Sequence, residues 1–392
     1  MNTITSRVED IFPFTRSLRR EFHRHPELGF QEFHTAEIIL RELKKMDGFL
    51  IQPGMAETGI LAFLEGGKPG KTILLRFDMD ALPVYENTGV DYASENAGLM
   101  HACGHDGHMA IGLTVARLLA EDQKNLTGQI KIVFQPAEEG LGGAQKMIKA
   151  GVLENPRPDI VLGMHLWNEK PLGWLGISDG PVMSASETFR VVIKGKGGHG
   201  GKPHEAVDPI VASAAVINAL QTLVAREVHP LDSAVITVAS IHGGKTHNVI
   251  PGDVTLEGTI RTFTAETRKL ILQRFRKIVE GTAEAHLCSA AVEIEEISPA
   301  VENHPEIAEA LRKTAQALFP EVDLVTNYRT MASEDMAFFL QDIPGCYSFI
   351  GSANPEAGLD AKHHQPEFNF DEKALITGAA LLIGGVVSLL KA

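Results

Sequence analysis

The sequence predicts an α/β protein: a mostly parallel sheet with helices on both faces, interrupted by an inserted ferredoxin-like α+β domain. Three observations carry this expectation. Strand and helix patterns alternate from the N-terminus to about 185, the order β-α-β-β-α-β occupies 186–298, and the first kind of pattern resumes to the C-terminus. The expected boundaries are 1–185 with 299–392 for the larger domain, and 186–298 for the insert. A chain of 392 residues suits such a division, at roughly 150 residues per domain.

The elements follow in order. Residues 3–22 and 32–46 have helical periodicity, and ETGILAFLE (57–65) and KTILLRFDMD (71–80) read as strands, the second running into a polar loop. MAIGLTVARLLAE (109–121) spaces its apolar residues as a helix does. GQIKIVFQPAEEG (128–140) is an apolar strand that ends in acid, and DIVLGMHLW (159–167) is another strand. Polar residues gather at the carboxyl ends of these strands, where ligands collect in parallel sheets. Within the insert, TFRVVIKG is a strand, 208–227 a long amphipathic helix, 234–244 and 253–263 strands, 266–286 a helix and 290–297 a strand. Residues 374–390 carry no charge over roughly 17 residues, the lower limit for a membrane span. Their Gly, Ser and Thr content and lone position predict a buried terminal helix instead.

Composition excludes several classes. At 44% hydrophobic and 22% charged residues the chain is neither disordered, collagen-like nor coiled-coil. Lys plus Arg number 36 against 50 for Asp plus Glu, a formal charge of −14. A polyanion is repelled on average, so nucleic acid is not the expected partner. The three cysteines give no disulfide framework, and the N-terminus has no apolar signal region. Both point to a soluble, cytoplasmic protein without a membrane partner.

The chemistry-bearing residues lie in five places. MHACGHDGHMA (100–110) packs His101, Cys103, His105, Asp106 and His108 before a helix. Thiolate and imidazole both ligate Zn²⁺ and its neighbours; the plainer alternative is a helix start with Asp106 as cap and surface histidines. Glu138 and Glu139 follow a strand. Adjacent carboxylates point apart there, so one can bind metal while the other faces substrate, though a solvated acidic turn reads the same way. His165 ends a buried strand, where a histidine is also often a satisfied core residue. His363 and His364 precede Pro366 late in the chain, where surface exposure is the alternative. Asp78 and Asp80 end the 71–80 strand and could orient a ligating imidazole or cap a helix. In the insert, His199 sits among glycines that allow close approach to a ligand. Arg261 could clamp a carboxylate or form an ordinary surface ion pair.

These motifs, with HRHPELGFQE (23–32), HNVIP (247–251), MASEDMAFF (331–339) and HHQPEF (363–368), resemble the aminoacylase/carboxypeptidase family of two-metal peptidases. The likeness spans nearly the whole chain and is greatest to the branch of hippurate hydrolase, N-acyl-amino-acid amidohydrolases and auxin-conjugate hydrolases. The resemblance implies two divalent metal ions, Mn²⁺, Zn²⁺, Co²⁺ or Ni²⁺, held by Cys103, His105, Glu139, His165 and His364. His364 rather than His363 fits the family's His-x-Pro pattern. Glu138 falls on the general acid/base position and Asp80 on the aspartate beside the metal loop. His199 matches the lid histidine that binds the oxyanion, and Asn248 and Arg261 match lid positions suited to a substrate carboxylate. The usual His-x-Asp motif reads Asp78-x-Asp80 here, so a ligating histidine is missing at 78 and the Cys-x-His pair takes its place. The implied activity is hydrolysis of small N-acyl amino acids by a homodimer or homotetramer that uses the insert as lid and dimerisation domain. Dipeptidase or carboxypeptidase action on the same site is the alternative, and a catalytically silent binding protein is a remote one.

Overall fold

The computed structural model describes residues 2–391. The chain divides into two units, Met1–Val182 with Glu302–Arg329 and Asp335–Ala392, and Met183–Val301 with Thr330–Glu334.

Among the described residues of the first unit, eight strands form one sheet. Its order is Phe49–Met55, Gly59–Glu65, Thr127–Gln135, Lys68–Asp78, Ile160–Pro171, Gly345–Ala353, Trp174–Gly176 and Asp323–Val325. The four central strands run parallel to one another. Strand alternation sends Ile73, Leu75 and Phe77 into a core shared with Met109, Ile111 and Leu113 of the helix His105–Glu121. Leu74, Arg76 and Asp78 point the other way, which brings Arg76 and Asp78 to the same side.

Three local features depart from the sequence reading. Residues 3–22 form two helices, Asn2–Asp10 and Phe12–Arg24, because Pro13 lacks an N–H and is accommodated in the first turn of a new helix. The 128–140 strand stops at Gln135, where Pro136 cannot donate to a ladder and Ala137 turns to φ +55°. The sheet also has an edge strand, Phe49–Met55, whose Pro53 and Gly54 break the apolar alternation that would have announced it.

The apolar segment near the C-terminus is the buried helix Ala374–Leu389. It packs closely on the helix Pro305–Leu318, since a Cβ on Gly385 would lie 2.5 Å from Leu311 Cδ2. Gly385→Val is therefore expected to destabilise the protein by about 1–3 kcal/mol through overpacking, read as a lowered melting temperature.

In the second unit the four strands Ala234–Gly243, Asp253–Thr262, Ala185–Lys194 and Ser289–Ser298 lie in that order, all antiparallel. With helices Pro209–Thr222 and Ala265–Ala285 this is the ferredoxin-like β-α-β-β-α-β arrangement. Asp208 caps the first helix by accepting from the Ile210 and Val211 amides, and Thr264 caps the second through the Thr267 amide. Val216, Leu220, Ile271 and Phe275 bury against Phe189, Val191 and Leu256 of the sheet. Among the described residues one helix, Pro209–Glu227, is long and apolar enough to cross a membrane; its Ala212, Val216 and Leu220 belong to this core.

Candidate metal centre

The centre is built at the carboxyl ends of the central parallel strands of the first unit. Gly104, at φ +90°, turns the chain into the helix His105–Glu121, a conformation that favours glycine, and so sets Cys103 and His105 on either side of the turn. Cys103 Sγ lies 3.5 Å from His165 Nε2. Potential ligand atoms of Cys103, His105 and His165, of Cys103, Glu139 and His364, and of His105, Glu138 and Glu139 each lie within 4.8 Å of one another. The five expected metal ligands and Glu138 are thus brought together.

The backbone fixes which imidazole nitrogens face this cluster. His105 Nδ1 is 2.9 Å from the Asp80 carbonyl, and His165 Nδ1 is 2.7 Å from the Leu166 carbonyl. A carbonyl only accepts, so in each neutral ring the proton sits on Nδ1 and the Nε2 lone pair is free to ligate. Buried in the cluster, His105 Nε2 has no hydrogen-bond partner among the described residues, and Glu139 Oε1 has the His364 imidazole 3.4 Å away. Under-satisfied buried imidazole and carboxylate atoms grouped with a thiol fit a divalent cation.

His363 and His364 diverge. The His363 Nε2 lies 3.0 Å from the Leu166 carbonyl and its ring packs on Trp167 and Phe368, at centroid separations of 5.0 and 5.1 Å. His364, in the left-handed region at φ +66°, brings Nε2 to 3.4 Å from Glu139 Oε1.

His108 also lies beside Asp78 and His105, but both its nitrogens are taken. Nε2 accepts the Leu166 amide at 3.0 Å and Nδ1 meets Asp78 Oδ1 at 2.5 Å. It therefore supports the strand ends. Asp78 receives Arg76 Nη1 at 2.7 Å, Arg76 Nε reaches Gln135 Oε1 at 2.8 Å, and Gln135 Nε2 reaches Asp335 Oδ2 at 3.0 Å. The Asp335 amide in turn donates to Glu138 Oε1 at 3.3 Å. Asp80 accepts the Glu139 amide through Oδ2 at 3.0 Å. Sequence reasoning did not single out Arg76, Gln135 or Asp335; their only signal was membership in motifs around better-known chemistry.

The local electrostatics ask for a cation. Burial opposes charge on His105, yet Asp78, Asp80 and Glu139 push it up to about 10. Burial, then Glu139 and Glu138, hold the Cys103 thiol well above its ordinary value. Burial and the neighbouring histidines push His165 well below the usual imidazole range. Binding as thiolate and neutral imidazole means that Cys103 and His105 give up protons, so affinity rises with pH. Calorimetry in two buffers of different ionisation enthalpy is expected to read a release of about two protons on metal binding near pH 7.

The remaining expected residues belong to the second unit. His199 pairs with Val249 in a short ladder, and its Nδ1 accepts the Gly201 amide at 3.0 Å. The neutral ring then carries its proton on the exposed Nε2. Asn248 offers its carbonyl to the Gly200 amide at 2.8 Å. Arg261 Nη1 donates to Ser333 Oγ at 2.7 Å, so its partner is a hydroxyl rather than a surface acid.

The profile described as peptidase family M20/M25/M40 matches residues 74–386. An N-acetyl-L-cysteine deacetylase of Bacillus subtilis (strain 168) is 40% identical over 95% of this chain and 87% of its own. Thermostable carboxypeptidase 1 of Saccharolobus solfataricus is 36% identical over 95% of this chain and 94% of its own. The crystal structure of a Bacillus subtilis protein described as a dinuclear metal-binding peptidase of the M20 family has a TM-score of 0.85 at 32% identity. The match covers 98% of this chain and 99% of that one. The chain belongs to peptidase family M20/M25/M40 and is a hydrolase.

Proposed function

We propose that the chain is a two-metal amidohydrolase that cleaves the amide bond of N-acyl-L-amino acids, releasing a carboxylic acid and the free amino acid. The observation that carries this is the division of labour at one turn. Glu139 Oε1, buried in the donor cluster, faces His364 Nε2 at 3.4 Å, while Glu138 Oε1 takes the Asp335 amide beside it. A ligand and a separate base, one residue apart, is what metal-assisted hydrolysis needs.

Cys103, His105, Glu139, His165 and His364 would hold the two ions. One thiolate, one carboxylate and three neutral imidazoles contribute −2 against +4. The surplus positive charge polarises the amide carbonyl and acidifies water when the ions, Mn²⁺, Zn²⁺, Co²⁺ or Ni²⁺, are bound. Glu138 accepts the proton of the attacking water and passes it to the departing amide nitrogen. Asp80 keeps the turn and His105 in place through its Oδ2 and its carbonyl. His199, with its Nε2–H exposed, donates to the developing oxyanion, and Asn248 and Arg261 receive the substrate carboxylate.

The 186–298 insert serves in this reading as lid and dimerisation domain. Its edge strand Ala234–Gly243 and the exposed Ile210, Val211 and Ile241 suit a homodimer, on which a homotetramer could be built. Three free cysteines, Cys103, Cys288 and Cys346, suit the reducing cytoplasm. A second reading, removal of the C-terminal residue from a peptide, is favoured by the carboxypeptidase relative.

Competing N-acetyl and N-benzoyl amino acids against dipeptides at equal concentration separates the two. The first reading expects higher kcat/KM for the acyl amino acids; preference for dipeptides moves the assignment to a peptidase.

A further inference from the structure

Glu32 is a fully buried carboxyl group outside the metal cluster. It stands immediately before the helix Phe33–Leu43 and yet does not cap it. Its two oxygens reach elsewhere: Oε2 accepts the Thr58 hydroxyl at 2.6 Å, and Oε1 accepts the Ala137 amide at 2.9 Å. Ala137 is the residue before Glu138 and holds φ +55°, a conformation that costs an L-residue about 1–2 kcal/mol. Its carbonyl is held as well, by the Gly143 amide at 3.1 Å. Two residues on, the Glu139 amide is held by Asp80. The amides on either side of Glu138 are thus fixed by carboxylates from two distant segments. The Asp80 bond restrains the peptide between Glu138 and Glu139, and the Glu32 bond restrains the one that enters Ala137, so both act on the turn that carries the two carboxylates.

We infer that Glu32 is a positioning residue: by holding Ala137 in the left-handed turn it aims the Glu138 carboxylate. The inference rests on Glu138 acting as the base; wild-type turnover and Glu138→Ala, assayed in parallel, test that reading separately.

The test compares Glu32→Ala, Glu32→Gln and the double variant Glu32→Ala/Ala137→Gly, reading kcat, KM and Co²⁺ affinity. Glu32→Ala is expected to lose about a hundredfold in kcat, as for a base displaced by about 1 Å, with KM and Co²⁺ affinity close to wild type. Glycine accepts positive φ without strain, so Ala137→Gly in that background is expected to recover about tenfold. Glu32→Gln keeps an acceptor for the Ala137 amide and should restore most of the turnover. Equal losses of kcat and Co²⁺ affinity would indicate general disorder of the turn and overturn the inference. So would a kcat near wild type in Glu32→Ala, or no recovery when Ala137→Gly is added to it. Should Glu32→Ala not fold, Glu32→Gln decides: restored turnover supports positioning by hydrogen bond, and a hundredfold loss with intact Co²⁺ binding overturns it in favour of a role for the charge.

Discussion

Glu138→Ala is expected to lower kcat by about a thousandfold, within the range of one well-placed acid/base, while the protein keeps its two metal ions. The turn that carries the side chain does not depend on it. Ala137 is held by Glu32 and Gly143, and Glu139 by Asp80. Removing the carboxylate takes away one acceptor of the Asp335 amide, at 3.3 Å, and leaves the buried Asp335–Gln135–Arg76–Asp78 chain intact. Metal analysis alongside kinetics checks the assignment. Metal lost together with turnover would make Glu138 a ligand.

The neighbouring substitution separates the two roles. Glu139→Ala is expected to weaken metal binding by more than about a hundredfold, beyond what loss of a supporting contact costs. Activity at ambient metal should vanish and return in part at millimolar Mn²⁺ or Co²⁺. The reason is local: among the described residues Glu139 is the only carboxylate grouped with both the Cys103–His364 and the His105 donors, so its loss removes charge from the whole cluster. His364, raised in pKa chiefly by its contact with Glu139, should also lose its tether. Turnover unaffected by Glu139→Ala, with two ions still bound, would contradict the ligand set.

Much of this was legible in the sequence because the chemistry sits where periodicity ends. The parallel strands announce themselves as apolar runs, and Asp78, Asp80, Glu138 and Glu139 interrupt or follow them at the carboxyl ends. Local spacing cannot rank two like residues, however. His105 and His108 lie about one helical turn apart, and only the Leu166 amide on His108 Nε2 shows which of them is fully engaged. His363 and His364 are parted by one backbone dihedral at φ +66°. Contacts across great sequence distance leave still less trace. Glu32 meets Ala137 at a separation of 105 residues and Gln135 meets Asp335 at 200, and no pattern in one segment encodes the other. The edge strand Phe49–Met55 and the break near Ile11 escaped for a simpler reason, proline and glycine punctuation inside otherwise regular patterns.

The most direct test of the account is amino-acid release from hippurate and N-acetyl amino acids by the chelated protein, titrated with Mn²⁺ or Co²⁺. The account predicts no release without metal and full recovery as two equivalents per chain are added. Release that persists in the chelated protein, or metal-restored turnover of dipeptides alone, would contradict it.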